Sequence, residues 1–352
     1  MSLLAEIQSC FEPLFALFPD LSGVAEAGLF KWGALNSSEP LVLLLLALGL
    51  EALLGGYGLF TGRGWHPRQW IVRLIRALDR QFNRGQATGK SKAGVSQVGQ
   101  AVQGSLMLLI VGLVALGFAL FLELLLRQAP YVWMLEILIL TLFLSLRGLQ
   151  MRLSRIRKAL GAGSPITARE ELFPLISDVM RHRDLQNLSE PSVTTGVMGG
   201  IATGFVTGLV TPVFWYCLLG LPGLFVQQAV AQVARFYRQR HLQAPMEKGF
   251  DWLARQLDRL FQFFPEAIAA FVFIAAACLT PSANPAGALA RAWQGGNVAV
   301  GAVGGAMKLE GLPASRSEAL TLLGRLALLL TFAGIFLVTI LALLLLYSFS
   351  FS

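Results

Sequence analysis

The sequence predicts an all-α fold, a polytopic transmembrane helical bundle of about five to seven spans with amphipathic helices on its cytoplasmic side. Of its 352 residues, 55% are hydrophobic and only 14% are charged, and the mean hydropathy is +0.64. Soluble domains carry about 25% charged residues, so this composition excludes an ordinary soluble fold. A helix needs about 20 apolar residues to cross the hydrocarbon core of a bilayer.

Three segments meet that length clearly. Residues 41–60, 105–126 and 326–347 are apolar throughout, and each contains at most one charged residue. Shorter or less apolar segments are also expected to enter the membrane, at residues 131–146, 196–221 and 267–280. These segments set the expected number of spans.

The basic residues are concentrated in two loops, and this predicts the orientation. Eight Lys or Arg residues lie between residues 63 and 92 and eight more between 147 and 183, which makes 16 of the 28 in the chain. Because Lys/Arg-rich loops stay on the cytoplasmic side, we expect both loops in the cytoplasm. The acidic N-terminus should then lie on the extracytoplasmic side of the inner membrane. Both loops flank predicted spans and contain few aromatic residues, which favours contacts with the lipid bilayer and excludes nucleic acid as a partner.

A third basic region, at residues 235–259, also favours the cytoplasm. The preceding apolar stretch, 193–234, must then enter the membrane and return as a bent hairpin, broken either at Pro212 or around residues 220–223. Apolar residues recur at intervals of three and four from Phe250 to Phe264, which predicts an amphipathic helix that ends before Pro265.

These patterns divide the chain into ten segments. They are an acidic extracytoplasmic segment (1–40), a first span (41–60), a basic cytoplasmic loop (61–103), a hairpin of two spans (104–146), a basic cytoplasmic helical loop (147–192), a Gly/Thr-rich membrane segment (193–234), an amphipathic helix (235–265), a short membrane helix (266–280), a Gly/Ala-rich loop region (281–320) and a C-terminal span (321–352).

Three carboxylates lie within apolar segments, where an unpartnered charge is costly. Glu123 has Arg127 one turn later, which favours a local ion pair, and Glu136 is close enough to the start of its segment to reach the outer interface. Glu51 is about ten residues into its span and has no basic residue within one turn. We therefore expect Glu51 to make a polar contact inside the bundle, either functional or structural.

A row of glycines is the clearest small-residue pattern. Gly196, Gly200, Gly204 and Gly208 recur once per helical turn, and the adjoining row includes Thr203 and Thr207. Small residues at this spacing let another helix approach closely, and threonine hydroxyls add interhelical hydrogen bonds. The row therefore predicts a helix-packing groove, with a ligand groove as the alternative. The three cysteines have no spacing typical of a disulfide or zinc site, and we expect no metal site.

Several short motifs follow one another in a fixed order after Pro40. They are Glu51 and Gly55, then His66-Pro67, then Ser145-Leu146-Arg147-Gly148-Leu149, then Ala168-Arg169 and Arg183-Asp184, then Gly208 with Pro212-Val213-Phe214, and finally the helix from Asp258 to Pro265. In this order they resemble the CobD/CbiB family of cobalamin biosynthesis, membrane enzymes that attach an aminopropanol arm to adenosylcobyric acid. The resemblance implies an adenosylcobinamide-phosphate synthase that uses ATP and Mg²⁺, with Glu51, His66, Arg147, Arg183, Asp184 and Asp258 as candidate catalytic residues.

The sequence departs from that family at polar positions. Alignment on Pro212 places Thr203, Gly204 and Thr207 where the family has Glu, Asn and Asp. Alignment on Pro222 places Ala231 and Ala234 within its Asn-Thr-Leu-Asp-Ser run. A ligase that activates a carboxylate needs ligands for a divalent ion, and threonine or alanine does not replace those charges.

The chain also resembles the AmpE-like branch of membrane proteins. This likeness rests on residues 211–215, the basic run 235–240, Gly249-Phe250-Asp251 and Phe264-Pro265. We therefore expect a non-catalytic or altered-function membrane scaffold or sensor of AmpE type with no evident cofactor, and with a membrane-protein partner or a second copy as its partner. The synthase is one alternative, and a small transporter that uses the three membrane carboxylates is another.

Overall fold

The computed structural model describes residues 38–54, 67–82, 97–128, 133–243, 251–294, 296–308, 313 and 315–351. All regular structure in these ranges is helical, which confirms the predicted fold class. The helices are α1 (Ser38–Leu54), α2 (Pro67–Phe82), α3 (Gln97–Gln128), α4 (Trp133–Phe143), α5 (Leu146–Gly161), α6 (Pro165–Ile176), α7 (His182–Gln186), α8 (Glu190–Phe205), a π-helical segment (Val206–Val210), α9 (Thr211–Gln243), α10 (Trp252–Leu279), α11 (Pro285–Ala292), α12 (Val298–Ala306) and α13 (Arg316–Phe351). Most of the acidic N-terminal segment lies outside these ranges.

Five helical stretches of the described chain are long and apolar enough to cross a membrane. They are Ala101–Leu125, Trp133–Gly161, Glu190–Leu242, Trp252–Leu279 and Arg316–Ser350, and the apolar Pro40–Leu54 is a shorter candidate. Large apolar side chains are exposed along α3, such as Leu113, Phe118 and Phe121. In lipid such a surface faces hydrocarbon rather than water. The chain is therefore a membrane protein.

Helices α1 and α4 run parallel. The Thr141 hydroxyl lies 3.4 Å from the Ala47 carbonyl, and four to six residues further along, the Arg147 amide donates to Glu51. Because the residue numbers rise together along the contact, the C-terminal ends of both helices lie at the same end of the bundle. This arrangement agrees with the predicted topology, in which both segments are followed by a basic loop.

The apolar stretch from α8 to α9 reverses direction. Gly200 in α8 packs on Leu175, while Arg235 in α9 binds Asp178, three residues after Leu175. Residues 200 and 235 would be about 52 Å apart in a straight helix, so the chain must fold back between them. The break is at Gly220, whose φ of 66° and ψ of −153° are non-helical and suit only glycine. The predicted bent hairpin therefore has its break at Gly220 rather than at Pro212.

Two prolines inside helices leave a carbonyl free, and another helix supplies the donor in each case. Pro212 has no N–H for the Gly208 carbonyl, which instead accepts from the Ser145 amide at 3.1 Å. Pro265 has no N–H for the Phe261 carbonyl, which accepts from Trp215 Nε1 at 3.0 Å. Because this donor satisfies the carbonyl, α10 continues through Pro265 to Leu279. The expected end of the amphipathic helix before Pro265 is therefore wrong.

Much of the Gly/Ala-rich region at 281–320 is helical, where we expected a loop. Asn284 and Asn297 accept from the amides of Gly287 and Val300, and these bonds begin α11 and α12. A Cβ on Gly305 would overlap the carbonyl of Gly287. The missing side chains thus let the two short helices touch through their backbones.

A polar cavity and its surrounding ion pairs

A polar cavity lies between the π-helical segment, α9 and α10. Its lining consists of Thr207, Gln227, Gln228, Ala231, Gln232, Arg235, Arg238 and Gln262. The cavity has a volume of about 350 Å³ when its open mouth is included. Its inside is large enough for water or a small chemical group.

Three glutamines of α9 are buried in this wall. Gln227 and Gln228 are each 2% exposed and Gln232 is 7% exposed. Gln228 Nε2 donates to Gln227 Oε1 at 3.1 Å, and the Gln232 amide makes no hydrogen bond with any described residue. The Gln232 amide can therefore exchange hydrogen bonds with water or a ligand in the cavity.

Acidic side chains surround the C-terminal turns of α9, and they come from three parts of the chain. Arg235 Nε donates to Asp178 Oδ2 at 2.7 Å, and Arg240 pairs with Asp79 of α2. At the N-terminal end of α10, Arg238 forms an ion pair with Asp258 at 3.2 Å, and His241 Nε2 lies 3.0 Å from Asp251 Oδ2. The end of α9 therefore contacts the first and second basic segments together, so both lie on one side of the bundle.

Glu51 stabilises the start of a helix. Its side chain is 3% exposed, and its Oε1 accepts from the Arg147 amide at 2.8 Å. The Arg147 guanidinium reaches back and donates to the Ala52 carbonyl at 2.5 Å. Because the first amides of a helix lack partners within the helix, the carboxylate of α1 acts as the N-terminal cap of α5. This is the structural form of the polar contact that the sequence predicted.

The glycine row is filled by the protein's own helices. A Cβ on Gly196 would lie 3.3 Å from Leu172, one on Gly200 would lie 2.8 Å from Leu175, and one on Gly204 would lie 2.7 Å from Leu149. A Cβ on Gly208 would overlap the Ser145 hydroxyl. On the adjoining row, the Thr207 hydroxyl donates to the Thr203 carbonyl at 2.9 Å. A partner helix would have to displace α5 and α6 to enter this groove.

Comparison with known proteins identifies the family. The family model described as CobD/Cbib protein matches residues 44–312, which include all the elements of the cavity. The chain belongs to the CobD/CbiB family. It is 27% identical over 250 residues to the cobalamin biosynthesis protein CobD of Rhizobium meliloti, covering 71% of this chain and 72% of that protein. It is 26% identical over 235 residues to the protein of the same name from Rhodobacter capsulatus, covering 66% and 68%. No solved structure matches the chain.

The CobD/CbiB-like candidate residues do not form one cluster. Glu51 and Arg147 are together, whereas Asp258 is at the cavity wall and accepts from Gln262 at 2.7 Å. His66 lies outside the described residues. Arg183 and Asp184 are exposed on the five-residue helix α7, and their side chains make no hydrogen bond or ion pair with described residues.

For the two other membrane carboxylates, the sequence predicts that Glu136 reaches the outer interface and that Glu123 pairs with Arg127. Glu136 accepts from the Tyr216 hydroxyl at 2.7 Å, so this acid has a partner inside the bundle. The predicted pair between Glu123 and Arg127 lies outside the described side chains, because that of Arg127 is not described. Glu51 and Glu136 thus each have a hydrogen-bond partner within the protein.

The described side chains around the cavity do not fit a nucleotide-bound Mg²⁺. Hard divalent ions require several oxygen ligands, usually carboxylates. No group of three His, Cys, Asp or Glu side chains suited to a metal ion occurs in the described part of the chain. At the cavity itself, Asp258 is held by Arg238 and Gln262, and the lining contains Thr207, where the resemblance places Asp, and Ala231, within the stretch where it places Asn-Thr-Leu-Asp-Ser.

The sequence reasoning missed the glutamines and the arginines of the cavity. Gln227, Gln228 and Gln232 interrupt an otherwise apolar stretch from residue 221 to residue 234, and that interruption is a readable signal. Arg235 and Arg238 were counted only as part of a basic region. Their acidic partners are distant in sequence, so the spacing of residues could not identify them.

Proposed function

We propose that this CobD/CbiB-family protein has an altered function, in which the cavity binds a ligand and the protein acts as a membrane scaffold or sensor rather than as a metal-dependent ligase. One observation carries the proposal. Thr207, where the resemblance places Asp, and Ala231, within the stretch where it places Asn-Thr-Leu-Asp-Ser, line the same cavity although they lie on opposite sides of the break at Gly220. The substitutions therefore act on one site.

The charges at the cavity support this proposal. A synthase site must hold a divalent cation and the phosphates that it bridges. Here the cationic groups are Arg235 and Arg238, and their nearest carboxylates, Asp178 and Asp258, are already engaged with them. A divalent cation placed in the cavity would face two guanidinium groups without a free carboxylate from the lining, which is unfavourable.

Complementation tests the loss of ligase activity. A cobalamin auxotroph that lacks its own adenosylcobinamide-phosphate synthase is transformed with this chain or, as a positive control, with the Rhizobium meliloti relative. We expect no growth without added cobalamin for this chain. As a control for folding, the chain should be present in the membrane fraction and, after extraction in detergent, elute as a single peak in size-exclusion chromatography. Growth equal to that of the control would overturn the proposal.

A second candidate function is the synthase reaction itself. It is favoured by the similarity to proteins named cobalamin biosynthesis protein CobD, which extends over about 70% of both chains. In that case ATP and Mg²⁺ would be bound with ligands that differ from the expected acids. Glu51, His66, Arg147, Arg183, Asp184 and Asp258 would be substituted first, and the complementation assay would rank them.

We also propose that the protein lies in the inner membrane, with its N-terminus outside and its basic segments in the cytoplasm. The contacts of Asp79 and Asp178 with the end of α9 support a common side for these segments. In a variant without cysteines, a membrane-impermeant thiol reagent should label Ser2→Cys after outer-membrane permeabilisation alone. It should label Arg76→Cys only after the inner membrane is opened, and the reverse pattern would contradict this orientation.

A further inference from the structure

We infer that the cavity binds a neutral carboxamide group of a small ligand. The inference rests on the proposed function, because it concerns the same site, and it names the chemistry of the ligand. The cavity contains unused hydrogen-bonding groups that are almost completely buried. Such groups are stable only when water or a ligand satisfies them.

The lining supplies both donors and acceptors. The Arg238 Nε–H is buried and has no hydrogen-bond partner among the described residues. The Gln232 amide lies in the lining and makes no hydrogen bond with the described residues. Among these residues Gln227 uses only its Oε1, which accepts from Gln228, so its Nε2 can donate. The Gln262 amide nitrogen donates to Asp258, which leaves its Oε1 as an acceptor. A carboxamide combines one acceptor with two donors and is therefore complementary to this mixed lining.

The charges argue against an anion. Arg235 and Arg238 each form an ion pair with a carboxylate, at 2.7 Å and 3.2 Å respectively. The Arg238 pair includes Asp258, which is 2% exposed and would repel a carboxylate or phosphate bound beside it. A neutral group keeps both pairs intact. It also avoids the desolvation cost that a charged ligand would add.

The size of the cavity agrees with one group rather than a whole nucleotide. The inside of the cavity has room for only a few water-sized groups. The total of about 350 Å³ includes a mouth that opens to the outside. The rest of a larger ligand would therefore extend through the mouth, while its carboxamide occupies the enclosed part.

Nicotinamide and nicotinate provide a matched pair of probes, because they share one ring and differ only in carrying a carboxamide or a carboxylate group. Binding to the purified full chain in detergent is measured by isothermal titration calorimetry, with inorganic phosphate as a third probe. We expect saturable binding of nicotinamide and at least about tenfold weaker binding of nicotinate and phosphate. Stronger binding of nicotinate or phosphate, or no saturable binding of nicotinamide, would overturn the inference.

Variants locate the bound probe. Gln232→Met keeps the length of the side chain and removes both amide functions, so nicotinamide should bind about tenfold more weakly. Gln150→Met is the matched control, because Gln150 bonds to Thr331 of α13 and does not line the cavity. If Gln232→Met does not fold, Gln227→Met replaces it. Equal weakening by the control, or none by the cavity variant, would overturn the inference.

The two tests separate the inference from the proposed function. A chain that fails to bind nicotinamide and also fails to complement the auxotroph would retain the altered function and lose only the carboxamide ligand. A chain that complements the auxotroph would lose the proposed function whatever the calorimetry shows.

Discussion

Trp215 donates the N–H of its indole ring to the Phe261 carbonyl at 3.0 Å, and this bond joins α9 to α10. The acceptor is the carbonyl that Pro265 leaves without a partner one turn later. In a helix that crosses a membrane, such a carbonyl has no water to bond with. The indole thus satisfies a backbone group that the sequence of α10 alone cannot satisfy.

Substitution of Trp215 by Phe should destabilise the protein by about 1–3 kcal/mol, because it leaves the Phe261 carbonyl unpaired and also removes part of the packing. The decisive comparison is Pro265→Ala, which restores the missing N–H. In that background Trp215→Phe should lower the free energy of unfolding by about 1 kcal/mol less than in the unmodified chain. Unfolding in detergent, followed by circular dichroism, measures this coupling. Additive effects of the two substitutions would contradict the proposed role of the indole.

Glu51→Ala should destabilise the protein by about 1–2 kcal/mol, because the Arg147 amide loses its acceptor at the start of α5. Glu51→Gln is the matched control, since its side chain has the same length and retains an acceptor oxygen. It should destabilise the protein by less than half as much. Thermal unfolding in detergent measures both. If Gln and Ala at this position were equally destabilising, the negative charge rather than the cap would be the important feature.

The helical fold and the apolar membrane spans could be predicted from the sequence, because a long apolar segment is stable in lipid and basic flanks stay on one side of the membrane. The helices of residues 281–320 and the continuation of α10 through Pro265 could not. The reversal between α8 and α9 was also predicted, since three basic regions required a common side. Gly220 could not be chosen over Pro212 in advance. Both break a helix locally, but at Pro212 the freed carbonyl of Gly208 finds a donor in Ser145.

The cavity could not be predicted to the same extent. Its polar lining is created by the reversal, which brings Thr207 beside Gln228 and Ala231. Glutamine carries no charge, so the three glutamines were not recognised as a polar cluster. The partners of Arg235 and Arg238 are 57 and 20 residues away in sequence, and only the folded chain brings them together. Contacts of this kind depend on tertiary packing rather than on local spacing.

Gly200→Ala should destabilise the fold by about 1–3 kcal/mol, because the new methyl group would lie 2.8 Å from the Leu175 Cβ, which is close to the backbone and cannot move aside. Gly112→Ala is the control. Gly112 is also in an apolar helix and has no atom within 4 Å of the added carbon, so its substitution should not be destabilising. Unfolding in detergent should therefore give a lower free energy of unfolding for Gly200→Ala than for Gly112→Ala. Equal values would show that α6 is not tightly packed on the glycine row.

The Arg238–Asp258 pair should show strong coupling, because Asp258 is buried and Arg238 is its ion-pair partner. Arg238→Gln should destabilise the protein by about 1–3 kcal/mol, since it leaves the carboxylate buried without its counter-charge. Asp258→Asn removes that charge and should recover at least about 1 kcal/mol of the loss in the double variant.

An exposed ion pair between α5 and α6 provides the control. Arg155 and Glu171 are 3.7 Å apart with the arginine 58% exposed, so a cycle on Arg155→Gln and Glu171→Gln should give a coupling below about 0.5 kcal/mol. Both cycles are measured by unfolding in detergent at low and high salt. Salt should reduce the exposed coupling and leave most of the buried one, because screening acts mainly on charges that contact solvent. Similar couplings and salt effects for the two pairs would mean that Asp258 is open to water, which would contradict its burial beside the cavity.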